Sequence, residues 1–200
     1  QTYRWSGSGY DYLAALDLPA LIQAEVDEPG SLAARAERLT EPQYLVCTNG
    51  QRDLCCARFG LPVYNALKER VGRRAWQVTH LGGHRFAPNL LTLPDAFLYG
   101  RVGADEVDEF LASTEQLRVV FHRLRGRTCY PKAVQAAEAL LGLDGLRLLH
   151  VEEMEDVTEV RFADGSRTHI IRVRKAVTPE RVLKSCGDGE EAEVFPYVMA

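Results

Sequence analysis

The 200-residue sequence predicts an α/β (α+β) fold, because strand-like and helix-like segments alternate through its middle and strand-like segments dominate its end. Between residues 43 and 114 the predicted order is strand, helix, strand, then two paired strands and a helix. This order is that of a thioredoxin-like unit. After about residue 145, three further strand-like segments predict an added C-terminal antiparallel sheet.

The composition is that of a soluble domain. Hydrophobic residues make up 46% of the chain and charged residues 26%, and no apolar run approaches the roughly 20 residues that a membrane-spanning helix needs. We therefore expect no membrane partner. The pI of about 5.8 and the lack of interleaved basic and aromatic residues also argue against nucleic-acid binding.

The cysteines indicate a reducing compartment. There are five of them, an odd number, and three fall between Cys47 and Cys56. A secreted scaffold held by disulfides would usually carry an even and dispersed set. We therefore expect a cytoplasmic protein that uses its cysteines for metal binding or catalysis.

Three parts are expected along the chain. They are an N-terminal segment over residues 1–42, a thioredoxin-like domain over 43–145, and a C-terminal sheet over 146–200 that packs on the same domain. In the N-terminal segment, SLAARAERL (31–39) predicts a short helix capped by Ser31.

The first strand of the thioredoxin-like unit is predicted over 43–48, because QYLVCT is an apolar, β-branched run. A helix is expected over 61–72, where apolar residues recur at helical spacing between an early Pro62 and a terminal glycine. The second strand, over 75–80, ends at a histidine. Two glycines follow it, and glycine tolerates a positive φ.

The rest of the unit is predicted to be a strand pair followed by two helices. NLLTL (89–93) and FLYGRV (97–102) form strands that a Pro-Asp-Ala turn connects. Apolar residues at helical spacing predict helices over 103–114 and 130–143.

The C-terminal sheet is expected to contain segments 146–156, 158–163 and 167–176. An Asp-Gly turn between the last two predicts a β-hairpin. A final short helix is predicted over 178–187, with a threonine cap and a glycine stop.

Residues with metal-binding chemistry follow two of the predicted strands. Cys47, Cys55 and Cys56 lie on the first strand-to-helix connection, and His80 and His84 end or follow the second strand. Sites in α/β sheets form at the carboxyl ends of the strands, so these side chains should converge in space.

The spacing alone leaves several kinds of site open. Two thiolates and two imidazoles bind zinc tetrahedrally, or a [2Fe–2S] cluster with the thiolates on one iron and the imidazoles on the other. Seven or eight residues separate Cys47 from the other two cysteines, which is longer than a zinc knuckle and favours a cluster. Adjacent Cys55 and Cys56 suggest a thiol redox site instead, and buried cysteines without a ligand are also common.

Three blocks of the sequence resemble the signature blocks of the sucrase/ferredoxin-like family of thioredoxin-like ferredoxins. They are YLVCTNGQRDLCCARFGLPVYNAL, HLGGHRFAPNLLTLPDAFLYGRV and RLRGRTCYPKAVQAAEAL. The resemblance implies a [2Fe–2S] cluster on Cys47, Cys56, His80 and His84, which match the C-x8-C and H-x3-H patterns of the yeast members. Cys55 then becomes an extra thiol.

The resemblance also implies an electron carrier rather than an enzyme with its own substrate. Imidazole ligands raise the reduction potential of such a cluster, and a histidine ligand that takes up a proton on reduction would couple electron and proton transfer. We expect Arg52, Asp53 and Arg85 to hydrogen-bond the cluster or orient the rings, with loop salt bridges as the alternative. Asn89 is expected to tie down the loop that carries the histidines, with an ordinary strand cap as the alternative.

The electron source is expected to be a partner protein, a flavoprotein reductase, because the sequence has no G-x-G-x-x-G motif after a strand. The segment from Tyr44 to Arg101 contains eight basic residues and only three acidic ones. This local excess of positive charge would attract an acidic partner protein or an anionic ligand, and a solvated surface with no partner is the alternative interpretation.

Overall fold

A computed structural model describes residues 2–5, 23, 27–28, 36–39, 41–51, 54–165, 167–185 and 189–200. The chain divides into two compact units, Gln1–Pro42 and Gln43–Ala200. In the first unit, β1 (Thr2–Trp5) pairs antiparallel with β2 (Ala36–Leu39). The helix predicted over 31–39 is therefore wrong at residues 36–39, where pairing with a distant strand overrides the local helix propensity. The rest of that prediction, including the Ser31 cap, lies outside the described residues.

A five-stranded mixed sheet forms the centre of the second unit. Its strands are β3 (Gln43–Cys47), β4 (Ala75–Val78), β5 (Asn89–Leu93), β6 (Phe97–Gly100) and β7 (Leu124–Arg127), in the order β4-β3-β5-β6-β7. The β3–β4 pair is parallel, and the other neighbours are antiparallel. This order, with the parallel pair on one side, is the thioredoxin-like arrangement, as predicted. Strand β7 is an addition that the sequence pattern does not indicate.

Helix α1 (Leu54–Val71) follows β3 and packs on the sheet. It begins well before residue 61, where the sequence pattern places its start, so Pro62 lies inside the helix and not in its first turn. Its buried residues Cys56, Gly60, Val63 and Leu67 recur every three or four positions, which makes one continuous face.

Gly60 allows α1 to pass close to the end of β3. A methyl group added at this position would collide with the carbonyl oxygen of Cys47, which is backbone and has little freedom to move. Only glycine can occupy such a position. The close contact therefore fixes the helix against the strand near both Cys47 and Cys56.

Helix α2 (Val107–Thr114) closes one face of the main core, which also contains Tyr44, Leu90 and Tyr99. The Tyr44 hydroxyl group donates a hydrogen bond to Glu115 Oε1 (2.6 Å), so this buried polar atom is satisfied. No helix among the described residues is both long and apolar enough to cross a membrane.

The predicted C-terminal antiparallel sheet is present. It contains β8 (Arg147–Glu153), β9 (Thr158–Asp164) and β10 (Arg167–Lys175), and helix α3 (Lys132–Leu141) packs on it. Small and β-branched residues of α3 and of the strands form a second apolar core around Phe162.

The helix predicted over 178–187 is wrong at residues 178–185, and residues 186–187 lie outside the described residues. Strand β11 (Glu180–Leu183) instead pairs antiparallel with β12 (Glu191–Val194), so ladder hydrogen bonds replace the expected helical ones. Strand β13 (Tyr197–Met199) then pairs with β10, which gives the sheet order β13-β10-β9-β8.

A buried ion pair connects α3 to the five-stranded sheet. Glu138 on α3 is 3% exposed and accepts hydrogen bonds from Arg127 on β7, at 3.0 Å from Nε and 2.7 Å from Nη2. The same guanidinium group lies over the Phe97 ring, 4.0 Å from its centroid. Both charges are thus removed from water and depend on each other.

Glu159 makes the C-terminal sheet sensitive to acid. Its carboxylate accepts hydrogen bonds from Arg161 (2.9 and 2.8 Å) and Arg172 (2.9 Å), which hold the pKa of Glu159 below its ordinary value. The stabilisation from these hydrogen bonds is present above the ordinary pKa of a glutamate and is lost as pH falls through the lowered pKa of Glu159.

Glu159→Gln should therefore reduce the loss of folded protein that circular dichroism detects as pH is lowered. An exposed control, Glu155→Gln, should leave that loss unchanged; equal curves for the two variants would contradict this expectation.

Candidate metal or cluster site

Two buried thiols lie where β3 meets α1. Cys47 is the last residue of β3, and Cys56 is the third residue of α1; both side chains are fully buried. The connection between them includes Arg52 and Asp53, which lie outside the described residues, so their expected role beside the ligands stays a prediction.

The two histidines lie in the loop of residues 79–88, here called the histidine loop, between β4 and β5. Because β3 and β4 are parallel and pair Cys47 with Val78, this loop begins beside Cys47. Gly82 (φ 83°) and Gly83 (φ 69°) both adopt left-handed conformations, which reverses the chain direction between the histidines. The rings of His80 and His84 stack, with centroids 4.3 Å apart and planes inclined by 25°.

Three of the four candidate ligands converge. The Sγ atoms of Cys47 and Cys56 and a ring nitrogen of His80 all lie within 4.8 Å of one another. His84 lies outside this group, but its ring stacks on that of His80. Thiolate sulfur and imidazole nitrogen are the donors that zinc and iron–sulfur clusters take, whereas magnesium and calcium take oxygen. The donor set therefore fits zinc or an iron–sulfur cluster.

Asn89 and Arg125 hold the histidine loop in place. Asn89 is fully buried, and its Nδ2 atom donates a hydrogen bond to the Gly83 carbonyl oxygen (3.2 Å). Arg125 Nη1 donates to Asn89 Oδ1 (2.7 Å) and to the Gly82 carbonyl oxygen (2.9 Å). Two side chains thus satisfy two carbonyl groups of a loop that has no sheet partner at those positions.

Arg125 is a residue of the candidate site that the sequence does not reveal. It lies on β7, far from the histidines along the chain, in a segment that shows only alternating arginines. Burial, together with the nearby Arg85, lowers the pKa of Arg125 to about 10, so it remains positively charged at neutral pH. Its guanidinium group also lies over the Phe86 ring, 4.5 Å from the centroid.

Arg85 and Cys55 lie next to candidate ligands in the sequence but make contacts other than those of Asn89 and Arg125. Arg85 lies over the Phe86 ring (4.6 Å), and its carbonyl oxygen accepts a hydrogen bond from Arg101 Nη2 (3.2 Å). Cys55 is half-buried beside Cys56 and is not a member of the converging group.

Replacing Arg125 by methionine should weaken metal binding by about ten- to hundredfold, as loss of groups that orient metal ligands commonly does. The reason is that the Gly82 carbonyl group and Asn89 both lose their donor. The measurement is titration of metal-free protein with cobalt(II), whose thiolate complex absorbs visible light. The exposed Arg118→Met is the control. Equal cobalt affinity in the two variants would show that Arg125 does not position the histidines.

The sequence and structure were compared with known proteins. The family model described as sucrase/ferredoxin-like matches residues 10–126. A protein named altered inheritance of mitochondria protein 32, from Meyerozyma guilliermondii, is 24% identical over an alignment of 103 positions, and the match covers 46% of this chain and 36% of that protein. The chain thus spans about a third of that relative's length.

Structural similarity is partial. Two structures of a thioredoxin-like [2Fe–2S] ferredoxin from Aquifex aeolicus, one of them a cysteine-to-serine variant, are 17% identical and give TM-scores of 0.38. The variant covers 42% of this chain and 97% of its own, and the other covers 43% and 91%.

Proposed function

Because the chain belongs to the sucrase/ferredoxin-like family, we propose that it is an electron-transfer protein with a [2Fe–2S] cluster bound by Cys47, Cys56, His80 and His84. The observation that carries the proposal is the convergence of two buried thiols and one imidazole within 4.8 Å, beside a second, stacked imidazole. When bound, such a cluster supplies a one-electron redox couple whose potential exceeds that of an all-cysteine cluster.

The residues of the candidate site have different roles in the proposed carrier. The Cys47 and Cys56 thiols are fully buried and would be the shielded ligands, since water does not reach their side of the site. His80 and His84 are only half-buried, so a partner protein would approach the site from their side. Asn89 and Arg125 fix the backbone between the two histidines.

A zinc ion on the same residues is the second candidate, because the same donor set fits tetrahedral zinc. Protein purified without oxygen distinguishes the two. A cluster protein is reddish-brown, contains about two irons and two sulfides per chain, and gives an EPR signal after reduction. A colourless protein with about one zinc per chain would overturn the cluster proposal.

The electron source proposed for this carrier is a flavoprotein reductase. These 200 residues contain no glycine motif for binding a dinucleotide, which favours a separate reductase as the source of reducing equivalents. Reduction of the coloured protein by NADPH should therefore require an added reductase. Reduction by NADPH alone would contradict this part of the proposal.

A further inference from the structure

A groove of about 590 Å³ opens beside the proposed ligands. Residues of α1, of the histidine loop and of β11 line it, together with Arg101 just after β6. Cys55 and Arg85 are among these residues, and each is directly adjacent in sequence to a candidate ligand, Cys56 or His84. Anything bound in the groove therefore lies next to both the thiol side and the imidazole side of the site.

The groove has an unmatched positive charge. Arg58, Arg85 and Arg101 line it, and none of its described lining residues is acidic. Within the part of the chain that the structure describes, none of these three arginines forms an ion pair. Their guanidinium groups lie over aromatic rings instead, Arg58 over Phe59 and the other two over Phe86, at 4.6–5.6 Å from the centroids.

The β11–β12 hairpin, whose strand β11 lines the groove, carries carboxylates that pair with other basic residues. Glu191 on β12 lies 3.7 Å from Arg181 on β11, and Glu190 accepts a hydrogen bond from Lys184 (3.0 Å). Glu190 and Glu191 are thus matched to basic residues of the same hairpin. The three arginines of the groove remain available for a carboxylate from outside the chain.

Exposed apolar side chains lie beside the arginines. Phe59 is 41% exposed and Leu183 is 47% exposed, and both line the groove. Aromatic side chains and arginines are enriched at protein interfaces, where the apolar groups become buried and the charges orient the partner. A small inorganic anion would leave these apolar groups in water, so the composition favours a protein segment.

We propose that this groove binds a carboxylate-bearing segment of an acidic redox partner protein. The redox role of that partner rests on the proposed function, but the binding itself does not require the cofactor. Docking here would bring the partner against the residues adjacent to Cys56 and His84. Attraction between unlike charges would accelerate the encounter at low salt and fade as ionic strength rises.

Fluorescence anisotropy of a labelled peptide tests the groove. The peptide is a short run of alternating glutamate and phenylalanine, and it is titrated with the purified full chain at low salt. The double variant Arg58→Gln/Arg101→Gln should weaken binding about tenfold, as loss of two charges at an interface does. The exposed pair Arg118→Gln/Arg147→Gln removes the same charge elsewhere and should leave the affinity within about twofold.

Other variants and competitors make the test specific. Arg58→Lys/Arg101→Lys keeps the charges and should retain most of the binding, and Arg58→Gln alone covers the case in which a change at Arg101 disturbs the backbone. Equal weakening by the control pair, or equal binding of a lysine–phenylalanine peptide, would overturn the proposal. Inorganic phosphate that binds with the same dependence on arginine and displaces the peptide would show a small-anion site instead.

Iron content separates this inference from the proposed function. Arginine-dependent peptide binding by a protein that carries no iron would support the docking surface while contradicting the cluster. If the protein carries a full cluster but its affinity for the peptide does not depend on Arg58 and Arg101, the proposed docking surface is contradicted and the proposed function is not.

Discussion

Cys56→Ser should abolish cofactor binding, whereas Cys55→Ser, one residue away, should leave it unchanged. The Cys56 thiol is fully buried and belongs to the group within 4.8 Å, and the half-buried Cys55 does not. Consecutive side chains on a helix point about 100° apart, so the two thiols cannot replace each other without moving α1. Visible absorption and iron content of protein purified without oxygen measure the effect.

Two further variants complete this comparison. Cys47→Ser should behave like Cys56→Ser, and the exposed Cys129→Ser should behave like the unaltered protein. Circular dichroism must show that each variant is folded. Loss of the cofactor in Cys55→Ser but not in Cys56→Ser would contradict the ligand assignment, and it would favour a site built on the outer thiol.

Arg127→Met should destabilise the second unit by about 3–5 kcal/mol, because it leaves the Glu138 carboxylate buried without its partner. Glu138 is 3% exposed and Arg127 is 14% exposed, so solvent cannot screen the charge that remains. Guanidinium chloride unfolding followed by circular dichroism measures the change, as a shift of the midpoint at constant slope.

The double variant Arg127→Met/Glu138→Leu separates the ion pair from simple packing. It removes both charges and should recover most of the stability that the single variant loses, since an apolar pair of similar size is often as stable as a buried ion pair. A loss below about 1 kcal/mol in Arg127→Met would show that water reaches Glu138. Failure of the double variant to recover would assign the loss to packing against Phe97 instead.

Much of the second unit can be predicted from its sequence, because strong periodic patterns end at clear stop signals. Strand β3, the β5–β6 pair and α3 all lie close to their predicted positions. The errors fall on short segments with helix-favouring residues, at β2 and β11. Each of these segments forms a strand because it pairs with another segment of the chain, β1 or β12. The residues within the segment itself do not indicate that such a partner exists.

The predicted start of α1, at residue 61, differs from the observed start at Leu54 for a related reason. Pro62 is typical of the first turn of a helix, yet it lies inside α1, and Gly60 lies inside α1 as well. Glycine is required there by the tight contact with the Cys47 carbonyl group, which is a tertiary effect. Spacing along the chain likewise indicated the four candidate ligands, whereas Arg125 reaches the histidine loop only through the register of β7, which the sequence does not encode locally.

The two halves of the candidate site are attached to the protein in different ways. Cys47 and Cys56 belong to a strand and a helix that the core and Gly60 hold together, whereas His80 and His84 depend on a loop tied by Asn89 and Arg125. The two thiols are thus held by packed secondary structure, whereas the two imidazoles are held by a loop that side-chain hydrogen bonds anchor. Efforts to change which metal or cluster the candidate site accepts should therefore begin in the histidine loop, where side chains can be replaced without altering the strand and helix that carry the thiols.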